Sequence, residues 1–270
     1  MPEVFVSGAF NDLRSRDVRF LQEASRQGNL TVILWSDNNF HRIQGRLPEF
    51  PAIERRYMLE ALRYVQRVIP AELPIDPDRL PGKLGRPDIW AVTEAEDSPA
   101  KRSFCAAQGI RYQVIPGSQL DGFPLAPDPG EGTSEKRVIV SGCFDWLHSG
   151  HIRFFEQAAT YGDLYVSVGN DANIRGLKGE GHPLLPQDER AYMVGSVRFV
   201  WQAFIAAGSG WLDVETSIER VQPDIYLVNE DGDRPEKRAL CARYGLQYLV
   251  LKRIPRDGLP GRQSTQLRGF

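Results

Sequence analysis

Residues 4–37, VFVSGAFNDLRSRDVRFLQEASRQGNLTVILWSD, align without a gap to residues 138–171, VIVSGCFDWLHSGHIRFFEQAATYGDLYVSVGND, and fourteen of the 34 pairs are identical. An internal repeat constrains a fold more than any other single feature, because each copy must satisfy the same core. The match resumes further on. Glu54-Arg55 and Tyr57-Met58 pair with Glu189-Arg190 and Tyr192-Met193, and Pro87-Asp88-Ile89 pairs with Pro223-Asp224-Ile225. Lys101, Cys105, Gly109 and Tyr112 fall against Lys237, Cys241, Gly245 and Tyr248. The repeat distance is about 135 residues, half of a 270-residue chain. That is the size of a domain, not of a solenoid unit. The expected division is therefore 1–124, a linker at 125–136, and 137–270. The Pro-, Gly-, Asp- and Ser-rich stretch Pro116–Glu135 reads as the linker region around it.

Within each copy, short apolar runs alternate with helical segments. In the second copy, strands are expected at Val138–Ser141, Leu164–Val168, Ile225–Val228 and Tyr248–Leu251, and helices near 149–161, 187–198 and 235–244. This order implies an α/β class: two tandem Rossmann-like domains, each a parallel sheet with helices on both faces. Ligands of such sheets bind beyond the carboxyl ends of the strands. Gly142–His151, Asn170–Lys178 and Asn229–Asp233 are then the loops that carry chemistry. Lys plus Arg is 33 and Asp plus Glu is 35, a net charge of −2, which argues against coating nucleic acid or an anionic membrane. No apolar run approaches the ~18–20 residues of a membrane span. The N-terminal MPEVFVSG runs straight into a strand without a basic or apolar leader, so a cytoplasmic location is expected. Cys105, Cys143 and Cys241 are too few and scattered for a disulfide framework or a zinc cluster.

The strongest local feature is Ser141-Gly-Cys-Phe-Asp-Trp-Leu-His-Ser-Gly-His151, which follows a strand and opens a helix. His148 and His151, three apart, share a helical side. They stand where free backbone N–H groups and the helix dipole favour an anion. Gly150 between them would let a phosphate approach the backbone. Zinc ligation would need a third ligand, and only His41 and His182 remain among the histidines.

This segment resembles the His-x-Gly-His signature of the nucleotidyltransferase superfamily, in the form found in cytidylyltransferases and heptose-phosphate adenylyltransferases. Three further segments agree in order. Leu177-Lys178-Gly179 resembles the family's Lys-Gly loop. Asp188-Glu189-Arg190 with Arg198-Phe199-Val200 resembles its Glu-Arg…Arg-Tyr-Val helix. Arg262-Gln263-Ser264-Thr265-Gln266-Leu267-Arg268 resembles its Arg-x-x-Ser-Thr motif. The tandem arrangement is similar to that of phosphoethanolamine cytidylyltransferases, which carry intact motifs in a different half.

The resemblance implies attack by an acceptor's phosphate on the α-phosphate of a nucleoside triphosphate, with pyrophosphate leaving. A phosphate monoester is largely dianionic at neutral pH, since its second pKa is about 6. Catalysis then falls to positioning and charge neutralisation. It implies His148, His151 and Lys178 as catalytic residues, with Lys178 on a glycine-flanked loop. The nucleotide would be held by Gly142, Cys143, Phe144, Asp145, Gly150, Asn229, Arg262, Ser264, Thr265 and Arg268. Asp145 is a candidate for a metal or ribose contact or for a helix cap, and Glu189 and Arg190 for positioning the site. Asn229-Glu230-Asp231 stand where the family holds the nucleobase, although here the loop reads Asn-Glu-Asp-Gly-Asp instead of a Gly-Asp type. Mg2+ would accompany the triphosphate, with no all-protein magnesium cage.

In the first copy Arg14, Arg16 and Asp17 replace His148, Gly150 and His151, and Gln44 replaces Lys178. The loop carrying Arg262 and Ser264 shrinks to Ile115-Pro116-Gly117-Ser118. No transferase activity is expected from residues 1–124. The copy would complete an intramolecular pseudo-dimer, bind a regulatory anion through Arg14 and Arg16, or reach into the other site. A homodimer of whole chains stays open. The expected substrates are a nucleoside triphosphate, with CTP slightly ahead, and a phosphorylated alcohol or sugar. The alternatives are an ATP-using enzyme acting on a sugar phosphate and a non-catalytic nucleotide-binding regulator. A nucleic-acid partner is not expected.

Overall fold

The computed structural model describes residues 1–124, 132–133, 136–264 and 267. The chain forms two compact units, Met1–Gly122 and Phe123–Phe270. In the first, β1 (Glu3–Gly8), α1 (Ser15–Ser25), β2 (Asn29–Trp35), α2 (Asp37–Gln44), α3 (Ala52–Glu60), β3 (Arg67–Ala71), β4 (Ile89–Thr93), α4 (Pro99–Gln108) and β5 (Arg111–Ile115) follow in order. The second repeats this with β6 (Arg137–Gly142), α5 (Ser149–Ala158), β7 (Asp163–Val168), α6 (Asp171–Lys178), α7 (Gln187–Gly195) and β8 (Gln202–Ile205). It continues with α8 (Glu215–Val221), β9 (Ile225–Asn229), α9 (Pro235–Tyr244) and β10 (Gln247–Leu251). Among the described residues each unit has one five-stranded sheet, in the orders β3-β2-β1-β4-β5 and β10-β9-β6-β7-β8. Every pairing is parallel. The central strands are buried on both faces, as parallel strands must be: β7 is buried at all of its positions. Among the described residues no helix is long and apolar enough to cross a membrane.

Strand order reverses at β6. Its pairing with β9 covers only Val138↔Ile225 and Ile139↔Tyr226, at the amino ends. Beyond these the two strands part, and a crevice opens at their carboxyl ends, the usual ligand position of such sheets. β1 and β4 part in the same way after Phe5↔Trp90.

Two sequence expectations need correction. Asn170–Lys178 is not a loop. Asn170 accepts the Asn173 N–H at 2.8 Å as an N-cap, and its amide also donates to the carbonyls of Ala206 and Gly208, so residues 171–178 wind into α6. Nor is all of Pro116–Glu135 a linker. Gly117–Leu120 forms a 3₁₀ turn in the first unit with Leu120 buried, and the Gln119 carbonyl accepts from Arg19. Residues 125–131 and 134–135, most of the expected linker, lie outside the described residues.

Candidate active site

The carboxyl end of β6 and the N-terminus of α5 build the crevice floor. Phe144 adopts a left-handed backbone, φ 51°, which is rare for a bulky side chain. Its ring folds back over β6 so closely that a Cβ at Gly142 would lie 2.8 Å from Phe144 Cζ. Glycine at 142 therefore makes room for this ring, besides lining the cleft described below. Phe144 in turn meets His151 edge-on at 5.3 Å and packs on Phe155 at 5.1 Å.

His148 is the N-cap of α5, not a residue within it, and its Nδ1 accepts the Gly150 N–H at 3.1 Å. An accepting Nδ1 in a neutral ring puts the proton on Nε2, which becomes a hydrogen-bond donor. The rings of His148 and His151 stack at 3.9 Å, tilted by 21°. Gly150 is held tightly from one side: a Cβ there would sit 3.0 Å from the His148 ring and 3.5 Å from the Arg262 carbonyl. Burial pushes the His148 pKa down to about 4, and the charges of Arg253 and Arg262 push the same way. Burial likewise holds His151 well below the usual imidazole value, helped by His148, Arg253 and Lys178. Both rings are neutral donors at neutral pH, surrounded by cations.

A cleft of about 320 Å³ brings together Gly142, Cys143, Phe144, Asp145, His148, Gly150, His151, Lys178, Asn229 and Ser264 from the sequence-predicted set. Lys178 is exposed at the C-terminal end of α6 rather than on a loop. Arg262 lines an adjoining cavity of about 630 Å³ that shares Gly150, Phe154, Asn229, Asp231 and Arg253 with the first. Thr265 and Arg268 lie outside the described residues. Cys143 is a free thiol whose pKa is raised by burial, with Lys178 and Arg190 opposing.

Asp145 and Arg190 brace the crevice from below. Asp145 is buried, and its Oδ1 accepts the N–H groups of Leu184 and Leu185 at 2.7 and 2.9 Å. It caps no helix, because His148 holds that place. Arg190 is fully buried on α7. It donates to the carbonyls of Leu185 (3.0 Å), Cys143 (2.6 Å) and Gly169 (2.8 Å) and to Asp171 Oδ1 (2.7 Å). Glu189, half-buried beside it, is not among the residues lining either cavity. Among the described residues no three His, Cys, Asp or Glu side chains gather as a metal site.

Two cationic residues of the cleft were missed in the sequence. Arg253, just past β10, pairs with Asp231 at 2.7 Å and donates to the Arg262 carbonyl at 2.9 Å. Its position after a strand at the carboxyl edge was the available signal. Lys237, on α9, also lines the cleft.

The equivalent place in the first unit is filled with carboxylates. Arg14 caps α1, and its N–H donates to Asp17 Oδ2 at 2.9 Å. The Arg14 guanidinium pairs with Asp12 at 2.6 Å, and Arg16 pairs with Asp121 at 3.4 Å. Glu94 accepts the Gly117 N–H at 2.7 Å. Burial raises the Asp17 pKa to about 6, and Asp12 and Glu96 add to the rise.

Residues 139–250 match the family model described as cytidylyltransferase-like. The chain is 36% identical over 153 residues to the bifunctional protein HldE of Pseudomonas fluorescens, covering 56% of this chain and 29% of that one. It is 35% identical over 175 residues to the HldE of Ectopseudomonas mendocina, covering 63% and 34%. The chain thus spans about a third of the length of these curated relatives. Among solved structures, the lipopolysaccharide core biosynthesis protein of Thermoplasma volcanium covers 45% of this chain and 98% of its own, at 23% identity and a TM-score of 0.38. The second half of the chain, with its stacked histidines at the sheet's switch point, is the part that is similar to the cytidylyltransferase-like family.

Proposed function

We propose that the second unit is a nucleotidyltransferase that joins a nucleoside triphosphate, CTP ahead of ATP, to a phosphorylated alcohol or sugar. An oxygen of the acceptor phosphate attacks the α-phosphorus. A new P–O bond forms, the bond to the bridging oxygen of the β-phosphate breaks, and pyrophosphate leaves with the electron pair. The observation that carries this reading is the neutral His148–His151 stack, set among Lys178, Arg253 and Arg262 at the N-terminus of α5. No general base is needed for a dianionic nucleophile, so fixed donors are the useful equipment. His148, through Nε2–H, and His151 stabilise charge building on the transferred phosphate. Lys178 neutralises phosphate oxygens from the end of α6. Arg262 and Ser264, with Thr265 and Arg268, hold the β- and γ-phosphates. Magnesium would accompany the nucleoside triphosphate as part of the substrate and screen its phosphate charge.

The first unit is proposed to be catalytically inert, since its cations are already paired with carboxylates where the second unit keeps histidines. The second reading, an ATP-using enzyme acting on a sugar phosphate, draws on the His182-Pro-Leu-Leu-Pro186 segment, which Asp145 pins beside the cleft. Pyrophosphate release with CTP or ATP and a panel of phosphorylated acceptors tests both. Turnover with CTP supports the first choice, and turnover with ATP alone shifts it to the second. If no pair gives turnover that His148→Ala abolishes, the protein is not this enzyme.

A further inference from the structure

Lys237 is an expensive residue to keep where it is. It stands in the first turn of α9, where the helix dipole disfavours a cation. It is only 8% exposed, and burial lowers its pKa. Among the described residues its ammonium makes no hydrogen bond and no ion pair. The face of Tyr226 lies 5.7 Å from Nζ. The three carboxylates near enough to influence it are each engaged elsewhere. Asp213 accepts from the Asn173 amide at 3.0 Å, Asp231 pairs with Arg253 at 2.7 Å, and Asp233 pairs with Arg238 at 2.5 Å.

The matching lysine of the first unit shows that the cost is avoidable. Lys101 occupies the same first-turn position of α4, yet its Nζ donates to the Glu96 carbonyl at 2.6 Å and lies 3.7 Å from Asp78. Glu96 aligns with Gly232. The bond in the first unit is to a backbone carbonyl, which glycine also has, yet Lys237 makes no such bond to Gly232, and the space where a Cβ at 232 would lie, 3.9 Å from its ammonium, holds no side chain. The open ammonium is therefore found in the unit that carries the histidines, and it lines the same cleft.

We infer that Lys237 is a phosphate ligand of this cleft and holds the phosphate of the acceptor. This rests on the nucleotidyltransferase reading for the word acceptor, but not for the binding of phosphate. The choice between substrates follows from the cavities. The 630 Å³ arm has the room for a nucleoside triphosphate and carries Lys252 and Arg262, with Arg153 and Arg256 shared with Glu156, and Lys237 does not line it. Lys237 faces only the 320 Å³ cleft beside His148 and Lys178. Asp213, Asp231 and Asp233 act on this ammonium from a distance, and a bound phosphate would give it the direct ion pair that the described residues do not.

The test uses the full chain, with inorganic phosphate and magnesium–CTP or magnesium–ATP as probes, and compares Lys237→Met and Lys237→Arg by calorimetry and thermal unfolding. Losing one charged hydrogen bond should weaken phosphate binding about tenfold to a hundredfold in Lys237→Met, with partial recovery in Lys237→Arg. Nucleotide affinity should stay within about twofold. The unliganded Lys237→Met protein should unfold at the same temperature or higher, because an unpaired buried charge has been removed. A lysine with a merely structural role would instead lower that temperature. Unchanged phosphate affinity, absence of phosphate binding in the parent protein, or a loss confined to the nucleotide would each overturn the assignment. Failure of the parent to bind either nucleotide would count against the nucleotidyltransferase reading, while the phosphate arm still reports on Lys237.

Discussion

The two units are built on one plan, and their agreements are as informative as their differences. Arg55 of the first is buried like Arg190 of the second and makes three of its four contacts: the carbonyls of Phe50 and Ala9, and Asp37 at 2.7 Å. Phe10 shares the left-handed backbone of Phe144, with φ 46°. Asn11 accepts the Phe50 N–H, as Asp145 accepts that of Leu185. Ser36 caps α2 as Asn170 caps α6. Contacts that persist in a copy without the histidines serve the fold. By that criterion Arg190, Asp145, Phe144 and Gly142 hold the crevice in shape, whereas His148, His151, Lys178 and Lys237 are the side chains whose surroundings changed. Where the second unit offers neutral donors and unpaired positive charge, the first has closed its cations onto Asp12 and Asp121.

The largest expected effect that could break this comparison is on turnover. His148→Ala should lower kcat about a hundredfold to a thousandfold, the usual loss for one fixed donor. Arg14→Ala and Asp17→Ala should leave it within about twofold. Steady-state kinetics on the full chain decides. A large loss from either first-unit variant would give that unit a part in the chemistry.

Next come the two buried arginines. Arg190→Met and Arg55→Met each strand several carbonyls and a carboxylate, and each should destabilise its own unit by about 2–4 kcal/mol. Unit-resolved hydrogen exchange measures both. If Arg190→Met abolished turnover while leaving exchange unchanged, Arg190 would belong to the chemistry rather than to the scaffold.

The units should also respond to acid with opposite signs. The folded pKa of His148 is about 4 against 6.5 unfolded, so the unfolded chain takes up the proton first. Stability present above pH 6.5 is lost as the pH falls towards 4, by about 3 kcal/mol. His148→Ala should flatten that slope. Asp17 runs the other way: raised to about 6 from 3.8, it favours the folded first unit at low pH, and this contribution is lost as pH rises through 6. Hydrogen exchange followed from pH 7 to pH 4 should therefore show protection falling in the second unit and Asp17 supporting the first. The smallest effect expected is that of Asp145→Asn. Its side-chain oxygen still accepts, as Asn11 does, so turnover should change about threefold or less. A metal-contacting carboxylate would lose far more.

Much of this was legible because the repeat and the strand–helix alternation are carried by apolar positions, which sequence displays directly. The His148–His151 segment was equally readable, since its spacing is local. The helical state of 171–178 was not, because it depends on the Asn170 cap and on carbonyls of Ala206 and Gly208 that only folding brings near. Gly142 lines the cleft as a candidate nucleotide contact, and only the folded chain shows that it also makes room for the ring of Phe144, two residues on, which has an unusual backbone angle. Arg253 and Lys237 belong to no contiguous motif. They reach the cleft by following β10 and β9 to the same sheet edge, and the unpaired state of Lys237 is visible only against the paired Lys101.

On the proposed function, the second copy keeps a nucleotide site and the first has closed its own. Calorimetric titration of the full chain with magnesium–CTP and magnesium–ATP tests it most directly. One nucleotide should bind per chain, weakened by Arg262→Ala and indifferent to Arg14→Ala. Two equivalents per chain, or a single equivalent lost on Arg14→Ala, would contradict it.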